Sequence, residues 1–273
     1  MIKQYTLYFL IFLNFSSFSQ QNNEINFYKI EYLETVIHPF LDEQQQNSNY
    51  TLNLFVNLNR SVFNLKTEID TSPQVIENKT KKGKASISYT PSGENWGVTY
   101  KDYQTKKMFF KYSNRHTVVD SLSAIFNWEI KDETKELLGY NCQKATMNFR
   151  GRDYTAWFTS DLPVGGPWKY DGLPGMILEI KSADGFIKFK ALSIKNNTLK
   201  NNILENPFNK TNKYTSWQDY KDFYKKRAIR GFSYRPAESS RGVEYSRGGI
   251  EIYIDYDDEE YNKILERYRK NNN

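Results

Sequence analysis

The chain has 273 residues, enough to bury a sizeable core as one large domain. Its net charge is +6, but 38 basic residues face 32 acidic ones and are spread along the chain without recognition-helix or zinc-finger spacing, which argues against a nucleic-acid partner. A single cysteine rules out an internal disulfide, and aromatics at 16%, with 21 Tyr and 18 Phe, favour strands.

Met1–Ser19 reads as a secretory signal peptide. Lys3 supplies the positive start, Tyr5–Phe15 is largely apolar, and Ser16-Ser17-Phe18-Ser19 is a small-residue cleavage region. The apolar part is too short for a membrane span, and no later segment approaches about 18 continuous apolar residues. No cysteine stands directly after the signal. The expectation is an exported protein, periplasmic or extracellular, not lipid-anchored, with no transmembrane segment in the mature chain. Residues 20–273 are expected to form a single β-rich domain with a helical and basic-loop extension from about residue 200.

Glu24–Ile37 alternates imperfectly and predicts a long first strand. Asp42–Asn49 is Gln/Asn-rich and reads as a loop. Over Tyr50–Asn59, Leu52, Leu54, Val56 and Leu58 share one parity and are assigned to one strand face. The lysine-rich Glu77–Lys84 reads as a solvated loop. Short strands follow at Ala85–Thr90, Gly97–Tyr103, Lys106–Tyr112, His116–Val119 and Ile125–Lys131, the last with Phe126, Trp128 and Ile130 on one side. Cys142–Arg150 and Tyr154–Thr159 flank Arg150-Gly151-Arg152-Asp153, a hairpin connection.

Asp161–Gly175 holds three prolines and four glycines interleaved with Leu162, Val164, Trp168, Tyr170 and Leu173. Prolines restrict the backbone and glycines permit close approach, so this is a rigid loop pressed onto a core. Met176–Ser182 and Phe186–Ile194 flank Asp184-Gly185, a strong hairpin signal, and their parity predicts one wet and one apolar face. Asn196–Lys213 reads as irregular. A helix is expected over Trp217–Ile229, capped by Ser216 with Asp219 in its first turn. Gly231–Gly249 looks mobile and basic, Ile250–Asp255 suggests a short strand, and Asp257–Lys270 carries its acids first and its bases last, as a helix dipole favours. The predicted fold is mainly β (α+β): a large curved antiparallel sheet or half-barrel with one or two C-terminal helices packed on it.

Catalytic signatures are missing. His38 and His116 sit in no metal-ligand spacing, and neither a nucleophile elbow nor a phosphate loop is present, so no catalytic residue, metal or cofactor is assigned. Cys142 reads as a buried inert thiol. Asp153, Asp161 and Asp171 offer carboxylates for a hydrolase, but Asp161 and Asp171 fit better as turn residues whose side chains accept loop N–H bonds.

Tyr140–Ala145, Gly151–Thr159, Leu162-Pro163, Gly166-Pro167 and Gly172-Leu173-Pro174-Gly175-Met176-Ile177 resemble the GLPGLI family of exported Bacteroidetes proteins. That resemblance implies an exported protein of unestablished role and makes Gly172–Ile177 a structural motif. From the aromatic strands and a covering helix, the first functional expectation is an envelope protein without enzymatic activity that binds a lipid or other apolar ligand in the curved sheet. Trp157, Trp168, Leu173 and Met176 would lie near the mouth or floor of its cavity. The alternative is an interaction module that docks on an outer-membrane or other envelope partner through Arg235, Arg241 and Arg247.

Overall fold

The computed structural model describes residues 24–38, 44–65, 75–79, 85–89, 95, 97–113, 116–123, 125–200, 205–210, 213–232 and 247–272. The segment read as a signal peptide lies outside them. The strands are β1 (Glu24–His38), β2 (Gln44–Phe55), β3 (Arg60–Leu65), β4 (Val75–Lys79), β5 (Ala85–Tyr89), β6 (Thr99–Asp102) and β7 (Lys107–Ser113). They continue with β8 (His116–Ser121), β9 (Glu129–Leu137), β10 (Tyr140–Phe149), β11 (Arg152–Thr159), β12 (Met176–Ser182), β13 (Ile187–Lys200) and β14 (Tyr214–Ser216). Two helices follow, α1 (Trp217–Phe232) and α2 (Glu259–Asn272).

Twelve strands form one open sheet in the order β14-β8-β7-β6-β3-β2-β1-β13-β12-β11-β10-β9. Its neighbours are antiparallel, apart from β14, which runs parallel to β8. Strands β4 and β5 pair separately. The predicted fold class is therefore the observed one. Curvature follows from the contacts: Arg150, at the end of β10, pairs with Asp120 of β8, nine positions away in the sheet. A flat sheet would hold those strands about 43 Å apart at the usual spacing. Bulges in the β1–β13, β9–β10, β11–β12 and β7–β8 pairings supply bends. The core fills the concave side, with Tyr32, Phe63, Tyr154, Tyr170 and Phe189 among its largest members.

Both expected hairpins form. Arg150 and Gly151 have φ of 49° and 83°, the double positive φ of a tight turn matched to strand twist. At the second hairpin Gly185 has φ 72°, and the Phe186 amide donates to Asp184 Oδ1 at 3.1 Å. Ser216 caps α1 as expected, accepting the Asp219 amide at 3.0 Å. Asp258 caps α2, accepting the Tyr261 amide at 2.9 Å. α1 packs on the β7–β8 end through Tyr220, beside Met108, Phe110 and Val118. α2 packs on α1, with Tyr261 and Leu265 against Ala228 and Phe232.

Several expectations fail for identifiable reasons. Gln44–Asn49 is not a loop but part of β2, paired with β1, because the ladder is made by backbone groups that any of these residues supplies. The strand face assigned to Leu52–Leu58 ends at Phe55, because Val56–Leu58 form a 3₁₀ turn closed by left-handed Asn59. Residues 125–128 are irregular, and β9 starts only at Glu129. Their apolar alternation anchors a loop: Phe126 lies 5.1 Å from the Phe149 ring, and Trp128 donates its indole N–H to the Asp171 carbonyl at 2.8 Å. Asn196–Lys200 continues β13 against β1. Ile250–Asp255 forms no strand, being bent back by a bridge between Gly248 and Ile252. Finally, β12 lacks a simple wet face. A bulge at Leu178 re-phases it, so that Ile177 and Ile180 both pair with core residues, Phe158 and Ala156.

Candidate functional site

The Pro/Gly loop, between β11 and β12, lies inside the bowl. Gly165 exchanges backbone bonds with the start of β12, accepting the Ile177 amide at 2.9 Å. A Cβ on Gly166 would stand 2.6 Å from the Tyr170 carbonyl oxygen, so that position requires glycine. Lys101, fully buried on β6, places its ammonium on three acceptors: Gly166 O at 3.1 Å, Tyr170 O at 2.7 Å and Asp171 Oδ2 at 2.9 Å. Every ammonium hydrogen is thereby used. Asp171 also accepts the Tyr103 hydroxyl at 2.9 Å and the Gly172 amide at 2.8 Å, the turn role expected of it. Burial pushes the Lys101 amine down, and Asp171 opposes that shift.

A second buried group closes the bowl. Glu251 accepts from Arg150 and from Lys169, each at 2.5 Å, and Arg150 also pairs with Asp120. Lys169 and Glu251 are sealed from solvent; burial and the nearby Arg150 charge push the Lys169 amine well down, and burial pushes the Glu251 carboxyl well up. Shifts of this kind often mark reactive groups. Here both clusters are closed to solvent, and they join the sheet, the Pro/Gly loop and the C-terminal loop.

The ligand-site residues expected from sequence all belong to or pack against the main core cluster, on different sides of it. Leu173 and Met176 are core residues, excluded from solvent by the loop they belong to and by β12. Trp168 is half-buried against Tyr170, with ring centroids 5.4 Å apart, and holds a left-handed backbone at φ 48°. Trp157 is on the opposite, outer face, with the Lys135 ammonium 4.4 Å above its ring. Arg235 and Arg241 lie outside the described residues. Arg247 donates to the Asp255 carbonyl at 2.6 Å and to Asn262, which ties the loop to α2. The three aspartates are also dispersed, Asp153 and Asp161 being exposed and Asp171 buried.

The outer face of β9–β12 carries a different arrangement. An open, polar cavity of about 400 Å³ is lined by Asn127, Glu129, Thr146, Asn148, Asp153 and Thr155, among others. The register sets Thr146 beside Thr155, Asn148 beside Asp153 and Lys144 beside Trp157. The Asn148 amide donates to Asp153 Oδ1 at 2.9 Å, orienting both. Trp157 stands two residues from Thr155 on the same face, about 7 Å along the strand. Glu179, paired with Trp157, binds Lys135 at 2.9 Å; burial pushes its carboxyl up, but Lys135 and the charges of Lys188 and Lys190 outweigh that and hold it below the usual range. Sequence reasoning marked Trp157 and Asp153 but missed Thr146, Asn148 and Thr155, because single polar residues on alternating strands have no one-dimensional signature.

A family model described as N-glycanase peptide, N-terminal domain, matches residues 57–222, more than half of the chain. The chain belongs to that family. This replaces the resemblance to the GLPGLI family and overturns both functional expectations drawn with it, the apolar-ligand protein and the envelope docking module. No curated protein matches the chain. It is similar to two solved structures of PNGF-II, in the P21 and C2 space groups, at 19% and 20% identity and TM-scores of 0.42 and 0.46. These matches cover 70% and 72% of this chain but only 31% and 32% of the PNGF-II chains. This member of the N-terminal domain family thus spans about a third of the length of those proteins.

Proposed function

We propose that this domain is a glycan-recognition module that works beside N-glycan processing. The observation that carries the reading is the polar outer-face cavity next to half-buried Trp157. A sugar ring has an apolar C–H face that packs on an indole, and hydroxyls that pair with amides, carboxylates and threonine hydroxyls. Trp157, Thr155, Asp153, Asn148 and Thr146 provide that combination on two paired strands, where the backbone is already ordered and little freedom is lost on binding. The family name supports the class of ligand. The reading includes export, carried by the Met1–Ser19 sequence, which would place the module among extracytoplasmic glycoconjugates.

Titration of the purified chain with an N-glycopeptide and with its free oligosaccharide, followed by tryptophan fluorescence, tests the proposal. Saturable binding is expected, weakened at least about tenfold (roughly 1.4 kcal/mol) by Trp157→Ala and by Asp153→Ala, with the melting temperature little changed by Asp153→Ala. Binding that ignores both substitutions, or none at millimolar glycan, would refute it.

A further inference from the structure

Glu251 is fully buried, yet it belongs to a loop, 247–254, with no helix or strand of its own. Its two oxygens are taken separately: Arg150 donates to Oε1 and Lys169 to Oε2. Both cations lie within residues 57–222, the span matched by the family, whereas Glu251 lies beyond it. The receiving surface is therefore part of the family domain, and a later segment delivers the carboxylate. Its walls are aromatic. Lys169 Nζ lies 3.7 Å from the Phe110 ring centroid and 4.4 Å from that of Trp168, and Arg150 stacks 3.6 Å above Trp217. With Asp120 already on Arg150, the surface without Glu251 carries one net positive charge, which a single carboxylate neutralises.

The rest of the loop is held as a bound peptide would be. Arg152 donates to the carbonyls of Ile250 at 2.9 Å and Gly249 at 2.8 Å, and the Ile252 amide donates to the Arg150 carbonyl at 3.0 Å. Ile252 packs directly on Gly151, where a Cβ would meet its Cγ1 at 2.7 Å.

We propose that Lys169 and Arg150 form a carboxylate-binding site, which the chain fills with its own Glu251 as a tethered internal ligand. A small carboxylic acid enters only by displacing that side chain. Departure of Glu251 without a replacement would leave one net positive charge uncompensated in a dry site, so release and ligand entry are one exchange. The tether gives Glu251 a high effective concentration, which closes the wild-type site to dilute acids.

Full-length Glu251→Ala opens the site for a test, with sodium acetate as probe and acetamide and sodium chloride as controls at matched concentration. The variant should melt roughly 10 °C below wild type. Acetate should restore at least half of that loss saturably, acetamide and chloride should not, and adding Lys169→Met should abolish the acetate response. In the wild-type chain, molar acetate should accelerate hydrogen exchange at the Ile252 amide, and acetamide should not. Should the variant fail to fold in chloride, recovery of its near-ultraviolet spectrum by acetate becomes the readout. A folded variant indifferent to acetate, an unfolded one that acetate does not rescue, a response that survives Lys169→Met, or wild-type exchange unmoved by acetate would each overturn the proposal.

Discussion

Replacing Lys101 with Met tests what holds the Pro/Gly loop inside the bowl. The substitution keeps an unbranched apolar stem but removes the ammonium from two carbonyls and from Asp171, whose side chain is only 5% exposed. The Tyr103 hydroxyl and the Gly172 amide still reach Asp171, so the carboxylate keeps two donors and loses its ion pair with Lys101. Breaking one side of a buried pair costs about 3–5 kcal/mol, and about 4 is expected here, with the two orphaned carbonyls already counted in that range. Since domains are stable by about 5–15 kcal/mol, the variant should fold but sit close to its limit. Urea unfolding followed by tryptophan fluorescence measures the loss as a lowered midpoint at unchanged slope. Adding Asp171→Asn should recover part of it, since no uncompensated charge then remains. A surface comparison, Lys144→Ala opposite exposed Glu133, should leave the midpoint in place. If Lys101→Met costs less than about 1 kcal/mol, the value of an exposed pair, the proposed clamp does not hold the loop.

Three further outcomes follow from single positions. Burial raises the Glu34 carboxyl to about 7, with the Tyr50 hydroxyl bond opposing the shift. A raised folded value means that Glu34 favours folding below its unfolded value of 4.5 and that this contribution is lost as pH climbs to about 7. Glu34→Gln should therefore stabilise the domain by up to about 3 kcal/mol above pH 7 and flatten its pH dependence between those limits, as denaturation at several pH values will show. Gly175→Ala should abolish folding, because its Cβ would meet the Thr159 carbonyl oxygen and lie 2.6 Å from the carbonyl carbon, where backbone cannot yield; a soluble, cooperatively melting variant would contradict the tight crossing. Burial pushes the Cys142 thiol up to about 11, so an aromatic disulfide reagent at neutral pH should label it only in denaturant.

Where local chemistry decides the conformation, the sequence is legible. Asp184-Gly185 and Arg150-Gly151 specify their turns through backbone preference alone, and Ser216 with Asp219 marks a helix start through a bond three residues long. Legibility is lost where a partner is remote. Gln44–Asn49 becomes a strand only because β1 offers it a ladder, and Leu178 bulges because β11 demands it. Lys101 and Lys169 look like any surface lysines, since Asp171 and Glu251 stand 70 and 82 residues away in sequence. The Pro/Gly loop is readable as rigid and core-facing from its own composition. That Leu173 and Met176 are buried in the core depends on what the rest of the sheet brings against them.

The pairing of β1 with β13 also constrains the order in which the molecule can be built. Glu24 lies opposite Lys200, and the Tyr32 hydroxyl bonds the Ile177 carbonyl across 145 residues of sequence. A nascent chain therefore carries β1 with one edge open until some two-thirds of its length has been made. Contacts so distant in sequence slow folding and prolong the exposure of unpaired edges. The amino-terminal half waits for the carboxyl-terminal half, and truncation before β13 should leave an edge free to recruit other chains.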